Sequence, residues 1–146
     1  MFRALLATRN DWYLTVLRLA AGIMILPHGL QKTFGLFGGP GFSKMMAGFT
    51  QGAHIPVVFA FLAIMAEFLG GLGLILGFLT RIAAFGVMCN MVVAITRQWQ
   101  FGFFMNWGGR QKGEGFEFHL LAIAILLGVM IRGAGPASID RAIAKK

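Results

Sequence analysis

The chain's 146 residues, a one-domain length, are 58% hydrophobic and only 12% charged, with 21 glycines besides. So small a soluble protein could not hide that much apolar surface, which excludes an ordinary soluble domain, a disordered chain and a secreted disulfide scaffold. The net charge of +8 falls at segment ends, where it meets lipid headgroups; with no recognition motif or basic helix beside it, no nucleic-acid partner is expected.

The pattern predicts an all-α fold. It is an integral membrane four-helix bundle in one domain, residues 1–146, with spans over about 12–32, 55–79, 81–99 and 115–133. Arg3 and Arg9 precede the first segment. It still reads as a span rather than a cleaved leader, because Leu19-Ala20-Ala21-Gly22 falls in its middle. Arg18, Ala21, Ile25, His28 and Lys32 recur at helical spacing and form one stripe. Pro27 removes a helix hydrogen bond just before His28 and predicts a kink there. Lys32 and Arg18 can snorkel toward opposite interfaces, whereas His28 is either a neutral, hydrogen-bonded structural group or a proton-carrying or ligand-binding one. After this span, Gly35–Phe42 is too rich in glycine for helix. Phe42, Met45, Met46 and Phe49 then share one side, as in a short helix lying on the membrane surface.

Glu67 stands at the centre of the second span, where insertion costs ~2.5–3.5 kcal/mol for an acidic residue. It should therefore point into the bundle. Desolvation favours a neutral, proton-donating carboxyl, paired with Arg18, His28 or Asn90. Ala63, Glu67, Gly70, Gly71 and Leu74 share its face. Small residues there permit close helix approach, or leave room for a flat ligand beside Glu67.

The turn Gly77-Phe78-Leu79-Thr80-Arg81 makes spans two and three a tight hairpin, so the connections Thr33–His54 and Arg97–Gly115 share the opposite face. Asn90 lies mid-helix in span three, one turn after Gly86. The second connection carries Trp99, Phe101, Phe103, Phe104 and Trp107, which read as an interfacial aromatic belt or as a lid over a pocket. In span four, Glu117 and His119 project about 200° apart and do not chelate one metal from the helix. No metal site is predicted. Haem between His28 and His119 is conceivable across helices, but no spacing demands it, and haem is not expected. The single Cys89 excludes an internal disulfide and a cysteine-ligated cluster. Eight basic residues (Arg3, Arg9, Arg18, Arg81, Arg132, Arg141, Lys145 and Lys146) fall toward the face of the two termini. Lys32, Lys44, Arg97, Arg110 and Lys112 fall toward the other, so both termini are expected in the cytoplasm.

Several strings, in order, resemble the DoxX family. They are Arg18-Leu-Ala-Ala-Gly22 with His28-Gly-Leu-Gln-Lys32, and Glu67-Phe-Leu-Gly-Gly71 with Leu76-Gly77-Phe-Leu-Thr-Arg81. Gly102-Phe-Phe-Met-Asn106-Trp107, Gly113-Glu-Gly-Phe-Glu117-Phe-His119, and Gly133-Ala-Gly135 with Ser138-Ile-Asp140 complete the set. The resemblance implies a multi-pass protein of the bacterial inner membrane. It also implies a tie to quinone-linked redox subunits or to a membrane part of an oxidative-stress complex.

The expected function is a redox-associated subunit that binds a quinone or similar lipid-soluble ligand among its helices. Glu67 and His28 are its candidate catalytic, proton-handling groups. Arg18, Lys32, Gly71, Asn90, Asn106, Glu117 and His119 are the candidate ligand-binding residues. With no electron carrier evident in the chain, electrons would come from an oxidoreductase partner subunit or a bound cofactor of unknown identity. The alternative is a non-enzymatic small-molecule carrier or a membrane assembly or scaffold subunit. Membrane lipids and further copies of the chain are the other expected partners.

Overall fold

The computed structural model describes residues 2–145. Among these residues the chain is all helical: α1 (Phe2–Leu6), α2 (Trp12–Phe34), α3 (Gly41–Ala47), α4 (Val57–Leu76), α5 (Thr80–Gln98), α6 (Glu117–Arg132) and α7 (Ile139–Ala144). The helices Trp12–Phe34, Val57–Leu76 and Thr80–Phe101, the last including a closing turn, are long and apolar enough to cross a membrane. With 16 residues, α6 rises only about 24 Å, so it reaches across a bilayer with help from its flanks or from local thinning.

The ends of each span follow from local chemistry. Pro56 precedes α4, and Gly77, with φ +66°, stops it in the left-handed region that glycine adopts freely. Gly35 stops α2 in the same way, its N–H donating to the Gln31 carbonyl. α2 continues as one helix through Pro27. α3 follows the Gly-rich stretch and leaves none of its residues buried, in keeping with a surface helix.

α2, α4, α5 and α6 close a ring in which α4 and α5 are neighbours, α5 and α6, and α2 with both α4 and α6. Each neighbour runs antiparallel to the next. Ala21, Ile25, Leu74, Ala84, Val87, Met91, Leu126 and Val129 fill the centre. Large apolar side chains such as Ile23, Phe59, Leu69, Phe85 and Leu121 face outward, the arrangement that lipid rather than water rewards. α2 and α4 share the largest interface and α2 and α6 the smallest.

At the end of the bundle that carries both termini, the chain satisfies its own helix ends. The Arg18 side chain, 1% exposed, donates from Nε to the Ala134 carbonyl at 2.9 Å and to the Ala137 carbonyl. It also donates to the Leu74 and Ile75 carbonyls in the last turn of α4, each at 2.6 Å. Arg81 serves α6 similarly, donating to the Met130 and Ile131 carbonyls. The buried Asp140 carboxylate accepts from the N–H groups of Leu79 at 2.7 Å and Thr80 at 2.9 Å, capping the start of α5. α1 meets α7, and Arg141 donates to Asn10 beside them.

Arg18→Met should therefore orphan carbonyls that have no water to turn to, at a cost on the order of 3–5 kcal/mol. Asp140→Ala should cost about 1–2 kcal/mol. Thermal unfolding in detergent measures both, and a surface change such as Lys44→Ala should leave the melting temperature in place.

Candidate polar site between helices

Glu67 belongs to the buried face of α4, with Ala60, Ile64, Gly70, Gly71 and Leu74. Its partner is Lys32, whose Nζ lies 2.5 Å from both carboxylate oxygens. This corrects the pairing expected with Arg18, His28 or Asn90. Lys32 is in the last turn of α2, and its long stem turns back along the helix to the carboxylate instead of out to the interface. Arg18 is 14 residues away on α2, about 21 Å along the axis, and its donors are spent on carbonyls. Asn90 spends its amide on the backbone of α4, where Nδ2 donates to the Ala63 carbonyl at 2.6 Å and joins α5 to α4.

His119 is in the first turn of α6, partly buried; its Nδ1 makes no close hydrogen bond, and the Phe116 carbonyl one turn back lies near enough to act on the ring as an acceptor. Glu67, His28 and Lys32 are all near enough to act on it electrostatically. His28 itself is exposed. Ala21, Ile25, His28 and Lys32 on α2 thus run antiparallel to Leu126, Ala122 and His119 on α6. Ala21 and Ile25 of α2 and Ala122 and Leu126 of α6 line one small apolar cleft between the two helices. The Lys32–Glu67 pair across α2 and α4 and His119 on α6 thus lie toward the connection end of the bundle, with His28 within electrostatic reach of His119. Among the described residues, no three His, Cys, Asp or Glu side chains converge as metal ligands do.

The remaining candidates are elsewhere. Gly71 holds no ligand space, because a Cβ there would come within 2.9 Å of Leu26 Cα; it is the point where α2 lies against α4. Gly29 does the same from the other side, 2.6 Å from Phe68 Cα by the same measure. Glu117 turns away from the bundle, as its spacing from His119 predicts. Its carboxylate accepts from the Met105 N–H and from Trp107 Nε1. Asn106 braces the same connection through reciprocal bonds with Gln111 and an N–H donated to Glu114. Arg18, Gly71, Asn106 and Glu117 thus hold the scaffold instead of joining the polar cluster, and Asn90 ties α5 to α4.

The second connection carries outward-facing aromatics of the kind expected of an interfacial belt. Trp107, 87% exposed, and Phe104 face outward as a belt does. Trp99 stacks on Phe116 at 5.0 Å, and the Phe103 carbonyl accepts from the N–H groups of Phe116 and Glu117, so the segment also seals the start of α6. Asp140 is the residue that sequence reasoning missed. The signal was available, since it is one of only five acidic residues in a lipid-soluble chain.

Breaking one side of the buried pair leaves a charge without compensation. Glu67→Leu and Lys32→Met should each destabilise the bundle by about 3–5 kcal/mol, while the double variant, apolar at both positions, regains most of that loss. Unfolding in mixed micelles, read by circular dichroism, gives the coupling energy directly.

No curated protein matches the chain, and no solved structure does. The DoxX family model matches residues 13–107, from the first turn of α2 through α4 and α5 into the aromatic connection. With well over half of its length covered in that order, this membrane protein belongs to the DoxX family.

Proposed function

We propose that this DoxX-family protein is a redox-associated subunit that binds a quinone, or a similar flat lipid-soluble carbonyl compound, where α2 meets α6. The observation that carries this is the partly buried His119, its Nδ1 without a close hydrogen bond, within electrostatic reach of His28 and the Lys32–Glu67 pair. Reducing a quinone consumes two electrons and two protons, and an imidazole is the side chain best suited to hand over a proton near neutral pH. His119 and His28 would hydrogen-bond the ligand's oxygens and supply or collect its protons. Glu67 and Lys32 would set the field in which they do so, and Lys32, partly exposed, would connect the cluster to the connection face. The electrons would come from a partner oxidoreductase subunit, since the chain has a single cysteine and no cluster-binding set. In this reading the protein is in the bacterial inner membrane with its termini in the cytoplasm, supported by the family and by the excess of basic residues toward that end.

A second reading, as an assembly or carrier subunit, draws on an apolar groove of about 1030 Å³ on the outer side of the α4–α5 hairpin. Its floor includes Ala63, Ala66, Gly70, Gly73, Ala83 and Gly86, small residues that would let a helix of another chain come close.

Tryptophan quenching in lipid nanodiscs separates the two readings. The wild type should bind a short-chain benzoquinone saturably, and His119→Phe and His28→Phe should each weaken binding about tenfold, or about 1.4 kcal/mol, without changing helical content. Absence of saturable quenching in the wild type would favour the assembly role.

A further inference from the structure

The end that carries the termini spends Arg18 and Arg81 on carbonyls, but it leaves two other arginines unspent and roots them side by side. The Arg9 N–H donates to the Arg132 carbonyl at 3.2 Å, joining the stretch before α2 to the last residue of α6. Neighbouring contacts lock that junction. The Gly135 N–H donates to Thr8 Oγ1 at 2.6 Å, and a Cβ on Gly133 would come within 2.6 Å of the Ala7 carbonyl oxygen. Arg81 adds a third guanidinium to the corner, donating to the carbonyls of Ala7, Met130 and Ile131. Arg9 and Arg132 are both exposed, and among the described residues neither pairs with a carboxylate. Asp140 is buried with its oxygens taken by two N–H groups, and Asp11, two residues from Arg9, forms no ion pair. The depth of the corner is marked as well. Trp12 and Tyr13, 67% and 53% exposed, begin α2 within one turn of Arg9, and aromatic side chains at the ends of spans sit at headgroup level. Ile131, immediately before Arg132, is exposed too, so hydrocarbon begins directly beside the charge.

We propose that the Arg9–Arg132 corner binds the phosphate of an anionic phospholipid, held between the two guanidiniums while its acyl chains lie against the outer surface of the bundle. Two cations rooted at adjacent backbone atoms repel one another, and an anion between them turns that repulsion into attraction on both sides. The planar guanidinium fork matches the oxygens of a phosphate. A zwitterionic lipid carries the same phosphate but brings its own ammonium group, which the corner repels, so the preference is for a lipid with net negative charge. A soluble phosphate or a nucleic acid would satisfy the arginines and leave Trp12, Tyr13 and Ile131 without the hydrocarbon they need. The site is independent of the quinone reading, since it lies at the opposite end of the bundle from Lys32, Glu67 and His119.

The test is native mass spectrometry of the protein released from detergent micelles that contain equal amounts of phosphatidylglycerol and phosphatidylcholine with matched chains. The wild type should retain its first phosphatidylglycerol with an affinity about tenfold above that for phosphatidylcholine, the order expected of two arginines at an anionic surface. Arg9→Gln combined with Arg132→Gln should reduce the preference to about twofold or less. Each change alone should lower it about threefold, so a double variant that fails to fold still leaves two exposed single changes to decide. Lys44→Gln combined with Lys112→Gln, which removes the same charge from the other end, should keep the full preference. Equal retention of the two lipids by the wild type overturns the proposal, as does an equal loss in the two double variants, which marks a bulk charge effect. Displacement of phosphatidylglycerol by an excess of inorganic phosphate also overturns it, by making a soluble anion the occupant.

Discussion

Hydrocarbon offers no hydrogen bonds, so a bundle in lipid must find a partner for every helix end within its own chain. The end that carries the termini meets this demand with charge. At the close of α6 each of the last four carbonyls has a donor: the Gly133 N–H, two contacts from Arg81, and the Arg9 N–H. At the close of α4, Arg18 takes the carbonyls of Leu74 and Ile75. A cation at a helix C-terminus also opposes the helix dipole, so each arginine acts twice at one place. Asp140 does the converse at the start of α5. Burying an isolated arginine or aspartate would be ruinous. Here each is the least costly way to close a helix.

The opposite half of the bundle treats polarity differently. Lys32 and Glu67 pair with one another across α2 and α4, and His119 Nδ1 makes no close hydrogen bond. Stability and chemistry are thereby separated along the membrane normal. One end uses up its buried polar groups on the backbone, and the other keeps an imidazole nitrogen free. The close approach at Gly29 and Gly71 meanwhile holds α2 to α4 from the other side.

Much of this was legible in the residues. Hydropathy placed the spans, turn chemistry at Gly77 set the hairpin, and depth alone marked Glu67 as inward-facing. Its partner was not legible. A lysine one turn from a helix end can reach outward or inward with equal ease, and only the position of a carboxylate on the neighbouring helix decides. The glycines near Glu67 suited helix contact or ligand space equally, until the backbone of α2 proved to fill the place of a side chain at Gly71. Arg18 was visible as a buried cation, but its acceptors are backbone carbonyls, and backbone acceptors leave no mark in a sequence. The family match ends at residue 107, before the segment that supplies Ala134, Ala137 and Asp140, so it too is silent on how the bundle closes.

The partners of Arg18 are spread widely along the chain. Two of its acceptors follow it by 56 and 57 residues and the other two by 116 and 119. A ribosome making this protein delivers the guanidinium early and its last acceptors almost at the end of synthesis. Until then the guanidinium lacks two of its four acceptors. Its full satisfaction is thus tied to completion of the last helix, and a chain truncated before residue 134 would have its defect at the start as well as at the end.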